Sequence, residues 1–511
     1  KKTQDRGGEE DTTESEESTA DDSNYASVFA DAEPVTVHEA MNSENATEWT
    51  KAMSDEYQSL IKNKTWVLVD PPPNKPIVRI NGCLKKRGPN GEISRYKCRL
   101  VAKGYSQIEG VNYHETFSPV VRHSTLRMLF ALAVEFNLKM EHLDVDTAFL
   151  NGEIEEEIYM YQPESFEDKS QKHKVCLLKK AIYGLKQASH AWNKRANEVI
   201  TSLALQKSRL EPCVYFSRSK TDIFILAIYV DDFFLFYSDH AMKDKVKKGL
   251  MDAFKIKDLG KPKQILGMNV HVDEKRGEVK FDQEIYINQI LRRFRMEDCK
   301  PVGTPIIKKE INTDIPYQQL IGSLMYLSVC TRPDISYAIS YLSQFNKKPT
   351  QEMWQQAKRV LRYLKGTKEK GLLYKKSENS DVIVFTGFID ADWAGNLEDG
   401  KSYTGYVYKI NDNTVSWEAR KQKTIALSST ESEYYAVSES GKEGFEIKLH
   451  KNPKFHSRTK HIAVRHHFLR DLIQEKVLSL EYLPTEEMVA DMLTKPLTPA
   501  KHMFCLNKIL T

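Results

Sequence analysis

Asp231 and Asp232 stand side by side between two apolar runs, 223–230 (IFILAIYV) and 233–237 (FFLFY). Isolated anions in an apolar setting cost several kcal/mol each, so such a pair must titrate, meet cations or bind metal. An arbitrary Asp-Asp pair is ordinarily a solvated turn. Here another acid, Asp144, ends a further apolar stretch at 140–145, and the combination favours metal. Carboxylates at strand ends are hard oxygen ligands on rigid supports. They suit nucleotidyl transfer, in which two Mg²⁺ ions roughly 3.5–4 Å apart activate the attacking hydroxyl and stabilise the leaving pyrophosphate. Asp144 and Asp231 form the candidate ligand pair, with Asp232 as a supporting charge.

The elements that must hold these acids can be read around them. The runs flanking Asp231 are short and rich in β-branched and aromatic residues, which predicts a hairpin with the acids at its bend. Residues 122–138 have the spacing of an amphipathic helix, and 179–200 pass from a Gly-containing turn into a helix bearing Lys186, Lys194 and Arg195. Two acid-tipped strands with a basic helix between them make an α+β arrangement. Upstream, 48–62 predict a helix, and 65–69 an extended stretch stopped by Pro71, Pro72 and Pro73. Lys85, Lys86 and Arg87 precede a turn at 88–91, and Arg95, Lys97, Arg99 and Lys103 follow it. A hairpin there presents cations to phosphates or is a solvated strand face. Beyond 240 the pattern mixes helix and strand, with a hairpin near 273–277 and a helix over 351–364. An apolar strand then ends in Asp390 and Asp392.

The 511 residues allow roughly three domains, and a hydrophobic fraction of 40% supports real cores. Residues 1–34 hold eleven Asp/Glu against Lys1, Lys2 and Arg6, so the rest of the chain carries 72 basic against 60 acidic residues. An acidic, Ser/Thr-rich leader reads as disordered, and a basic body points to a polyanionic partner. Cys83, Cys98, Cys176, Cys213, Cys299, Cys330 and Cys505 lie far apart without zinc-like spacing and read as reduced thiols of an intracellular protein. No apolar run approaches transmembrane length, so no membrane is expected. The start at Lys1 reads as a segment of a longer polyprotein.

LDVDTAFLNG (143–152), AIYGLKQASHAW (181–192) and YVDD (229–232), in this order, resemble the reverse transcriptase of copia-type LTR retrotransposon Pol polyproteins. RYKCRLVAKGYSQ (95–107), GSLMYLSVCTRPDISYA (322–338) and IALSSTESEYYA (425–436) extend the likeness over roughly residues 40–505. The resemblance implies a right-hand polymerase of fingers, palm and thumb followed by a ribonuclease H-like α/β domain. The expected layout is a leader over 1–40, fingers and palm over 41–250, thumb and connection over 251–378, and the ribonuclease H-like part over 379–511. Asp144, Asp231 and Asp232 would be the palm triad, with Mg²⁺ or Mn²⁺ on Asp144 and Asp231. Phe149 would lie against the sugar and favour dNTPs over NTPs. Tyr183 and Gly184 would lie at the nucleotide and template, while Lys97, Arg99 and Lys103 would hold the triphosphate. The implied partners are an RNA template, a DNA or tRNA primer, the RNA–DNA hybrid and dNTPs, in a cytoplasmic virus-like particle or the nucleus. A nucleic-acid-binding relic without turnover is the alternative. Asp146 is read as solvent-facing.

In the second region Asp390, Glu433 and Asp491 match three of the family's four ribonuclease H carboxylates. Counting back from Asn452 puts Lys442 where the remaining aspartate belongs, and the chain between Tyr434 and Glu446 is short for a helix plus a strand. Truncation of this domain, local disorder over 437–452 and loss of hydrolysis are therefore expected, with Glu439, Glu443 and Glu446 as the acids left to substitute. Asn81 and Gly82, in a segment that usually forms a strand, predict loosened fingers.

Overall fold

The computed structural model describes residues 34, 36–73, 75–85, 96–219, 222–306, 316–377, 383–396, 398–449 and 479–511. Most of the acidic leader, the turn at 88–91 with Lys86, Arg87 and Arg95, and the stretch 450–478 lie outside the described residues.

At the centre is a six-stranded antiparallel sheet in the order Ile256–Gly260, Lys139–Val145, Asp232–Tyr237, Ile223–Tyr229, Val214–Arg218, Gln206–Lys207. The hairpin expected around Asp231 is present, with Tyr229 paired to Asp232 and Phe224 to Tyr237. Phe233 to Tyr237 are all buried. A strand this apolar must be covered on both faces. Trp192 of helix Ala188–Ser202 and Phe254, the residue that follows helix His240–Ala253, meet edge to face at 5.0 Å. Helix His123–Glu135 contributes Phe130, which meets Phe236 edge to face at 4.9 Å.

Toward the N-terminus, helix Ala46–Lys62 lies on the hairpin Ile80–Lys85/Lys97–Ala102, where Glu56 Oε1 accepts from Leu100 N at 3.2 Å. The expected loosening at Asn81 and Gly82 does not occur. Six consecutive residues, 80 to 85, pair in unbroken register with 97 to 102, because ladder hydrogen bonds and the helix behind override weak local propensity. The end of the supposed leader is also ordered. Val37–Met41 is a helix capped by the Thr36 hydroxyl, with Ala40 buried beside Trp49 and Met53.

Residues 264–375 supply a four-stranded sheet, Gln264–Ile265, Met268–Asp273, Glu278–Asp282 and Leu372–Lys375, and helices that bury Leu320, Trp354 and Leu364 in a second core that also takes in Tyr403. The C-terminal part is a three-stranded antiparallel sheet, Phe385–Asp392, Tyr403–Ile410 and Asn413–Lys421. Helix Ser429–Leu449 and the short turn Val489–Leu493 pack on it. Helix continues through 437–449, so the local disorder expected there is not found; 450–452 lie outside the described residues. Neither is the region a separate body. The core holding Phe130 and Phe236 runs on through Phe281, Tyr374, Trp417 and Leu506.

Arg127, wholly buried in helix His123–Glu135, is the joint between these parts. Its guanidinium donates to Val415 O at 2.7 Å, Val329 O at 2.9 Å and Cys330 O at 3.2 Å, and stacks on Trp417 at 4.0 Å.

Candidate active site

Asp144 and Asp232 are direct partners across the antiparallel ladder of Lys139–Val145 and Asp232–Tyr237. Directly opposed residues point to one face with Cβ atoms roughly 4.5–5.5 Å apart, so register alone brings these carboxylates together. Asp231 lies in the two-residue turn just before Asp232, and its carbonyl accepts from Val145 N at 2.8 Å. Val230 in the same turn has φ of +54°, which a β-branched residue adopts only under constraint. Trp192 Nε1 supplies that constraint by donating to Val230 O at 2.6 Å.

Burial raises the Asp231 carboxyl above the usual carboxylate range, and the charges of Asp232 and Asp144 add to it. Asp232 is engaged by buried His142, whose Nε2 lies 2.7 Å from Oδ1. Asp146 is not simply solvent-facing. Lys255 at 2.6 Å and Lys257 at 3.2 Å hold it against the neighbouring strand and keep its carboxyl below the ordinary range. Lys257 also comes within 3.9 Å of Asp144.

Among the described residues, no three His, Cys, Asp or Glu side chains stand together as a ready-made metal cage. Mg²⁺ is ordinarily held by one or two carboxylates plus substrate phosphates and water. Asp144 and Asp231 fit that pattern, since they are hard donors and a cation would offset the burial and the like charge that raise Asp231.

The expected nucleotide-binding residues gather beside these acids. The Phe149 ring, half-buried between two cores, meets Tyr183 edge to face at 4.7 Å. Arg99 stacks on the other ring of that pair, Tyr183, at 4.3 Å. Burial raises the Tyr183 hydroxyl; Arg99 opposes this, while the charges of Asp231 and Asp144 add to it. Ala102 N donates to Tyr183 O at 2.7 Å. Gly184, at φ +89°, passes so close that a Cβ would lie 2.1 Å from Ala102 O. Of the three candidate triphosphate cations, Arg99 is placed on the Tyr183 ring; Lys97 and Lys103 flank it along the chain.

The C-terminal acids also converge. Asp390 and Asp491 are buried, and burial pushes Glu433 up to about 7, with the charges of Asp390 and Asp491 adding to the effect. Asp392 lies two residues beyond Asp390 on the same strand face and is likewise pushed up to about 7 by burial. Sequence reading did not assign Asp392, although its i, i+2 spacing was the available signal. Glu439 and Glu443 instead act on Glu418, and Glu443 Oε1 accepts from Ser416 Oγ at 3.0 Å. The side chain of Glu446 lies outside the described residues.

Residues 63–308 match the family described as reverse transcriptase (RNA-dependent DNA polymerase). The Retrovirus-related Pol polyprotein from transposon TNT 1-94 of Nicotiana tabacum is 38% identical over 94% of this chain and 39% of its own length. The corresponding polyprotein from transposon RE1 of Arabidopsis thaliana is 36% identical over 94% of this chain and 35% of its own length. The putative transposon Ty5-1 protein of Saccharomyces cerevisiae is 32% identical over 58% of this chain and 98% of its own length. The chain belongs to the copia-type retrotransposon Pol polyproteins. This Pol chain spans well under half the length of the two plant polyproteins and carries a reverse transcriptase domain. None of its described helices is long and apolar enough to cross a membrane. Cys98, Cys176, Cys213, Cys299, Cys330 and Cys505 are free thiols.

Proposed function

We propose that this Pol chain is an RNA-directed DNA polymerase that extends a DNA or tRNA primer on an RNA template with dNTPs. The observation that carries the reading is the meeting of Asp144 with Asp231 and Asp232 at abutting strand ends, beside the Phe149–Tyr183–Arg99 stack. Asp144 and Asp231 would hold Mg²⁺ or Mn²⁺, which when bound activates the primer hydroxyl and neutralises the leaving pyrophosphate. His142 fixes the orientation of Asp232. Phe149 closes the space beside the sugar and so disfavours a 2′-hydroxyl. Arg99, with Lys97 and Lys103 along the same segment, draws in the triphosphate. Tyr183 and Gly184 set the floor on which nucleotide and template lie. In a primer-extension assay on an RNA template, Asp231→Asn should lose at least about a thousandfold in dNTP incorporation. Equal incorporation by wild type and variant would overturn the reading in favour of a nucleic-acid-binding relic.

We also propose that ribonuclease H activity is lost or severely reduced. The support is Lys442 at the position counted for the remaining acid, and Glu443 taken up by the Ser416 hydroxyl. Cleavage of the RNA strand of a hybrid by the wild-type chain would overturn it.

A further inference from the structure

The acids of the C-terminal centre are not without a cation. Lys495 Nζ lies 2.6 Å from Asp491 Oδ1 and 3.5 Å from Asp390 Oδ2. The contact with Asp491 is an ion pair rather than an aligned hydrogen bond. The segment that delivers this ammonium is tied down. Lys495 N and Thr494 N both donate to Asp491 O at 3.2 Å, and the Thr494 hydroxyl donates to Asp390 Oδ2. Lys501 Nζ stands 3.6 Å from Asp491 Oδ2 and donates to Thr485 O and Glu486 O, so a second ammonium steadies the far side of the same carboxylate.

Buried carboxylates placed together without a counter-charge would be strongly destabilising. A divalent ion could supply that charge, but here a side chain does so from within the same turn. A group tethered over so few residues acts at an effective concentration of millimolar or above.

We infer that Lys495 is a built-in counter-cation that occupies the space between Asp390 and Asp491 and shuts a divalent ion out of that pair. The inference rests on reading these acids as the remnant of a ribonuclease H centre, and it is independent of the polymerase reading. Removing the ammonium should therefore uncover a metal site.

The test counts bound Mn²⁺ by electron paramagnetic resonance on the full chain, with Asp144→Asn and Asp231→Asn present to clear the polymerase acids. In this background, adding Asp390→Asn should not change the count. Lys495→Met should add one ion per chain, Asp390→Asn should remove it again, and Lys495→Arg should add none. Should Met at 495 unfold the chain, Lys495→Gln takes its place. An unchanged count on removing the ammonium would overturn the inference, as would an Asp390-dependent ion already present with Lys495 intact. Hybrid cleavage gained by Lys495→Met would overturn the separate proposal that the missing acid silences this centre, while leaving the counter-cation standing.

Discussion

His123 begins helix His123–Glu135 with its ring beside Tyr229, centroids 6.4 Å apart, and its Nδ1 has no hydrogen-bond partner among the described residues. Burial pushes the imidazole down to about 4, and the charge of Arg127 adds to this. The unfolded ring titrates near 6.5. Between these values the unfolded chain binds more protons than the folded one, so stability is complete above about pH 6.5 and is lost as pH falls toward 4. His123→Gln should flatten the thermal-midpoint profile in that window, and parallel profiles for the two proteins would refute the assignment. Phe149 yields a second residue-scale prediction. Phe149→Ala should raise incorporation of NTPs relative to dNTPs by about tenfold or more, measured as a ratio of kcat/KM values. The meeting of Asp144 with Asp232 was legible because each acid ends its own apolar strand. His142 and Trp192 were not, since each acts on a partner far off in sequence: His142 on Asp232, Trp192 on Val230.

Elements follow their local pattern where one face is apolar and the other wet. Helix Ala46–Lys62 and the acid-tipped hairpin emerge close to their expected bounds. The pattern misleads where tertiary pairing outweighs propensity, as in the strand containing Asn81 and Gly82, which the facing strand holds in register. The stretch between Tyr434 and Glu446, read as short for a helix plus a strand, is taken up entirely by helix Ser429–Leu449. A close seam between elements is that of Gly184 against Ala102. Gly184→Ala would force a methyl group onto a carbonyl oxygen at a left-handed backbone position, so the strand carrying Arg99 must move away from Tyr183. The expected result is a rise of about tenfold or more in KM for dNTP, with loss of about 1–3 kcal/mol in urea unfolding. An unchanged KM would show that this seam does not position the nucleotide.

Across the whole molecule, the expected division at 378 and 379 is crossed by one continuous core. The reason is visible in helix His123–Glu135. Sequence spacing suggested an amphipathic helix, but nearly every residue from Thr125 to Glu135 is buried, because the central sheet covers one side and strands from residues 372–421 the other. Glu135 is bound to this second layer too, accepting from Ser377 N at 3.2 Å. No local pattern announces a cover that arrives more than two hundred residues later. Arg127→Met would leave carbonyls of Val415, Val329 and Cys330 without their donor, at about 1–3 kcal/mol for each group left unsatisfied. It should lower urea stability by about 3 kcal/mol or more and broaden unfolding into separate phases. A small, single-phase change would show that the joint is incidental.

The acceptors on Arg127 are uncharged carbonyls, and an aromatic face covers the guanidinium. Dissolved salt screens pairs of opposite charge, yet at this seam it finds no such pair to weaken. Phosphate contacts behave in the opposite way, because their grip fails steeply as ions accumulate. Brine strong enough to break contacts with phosphates should leave the joint at Arg127 clasped.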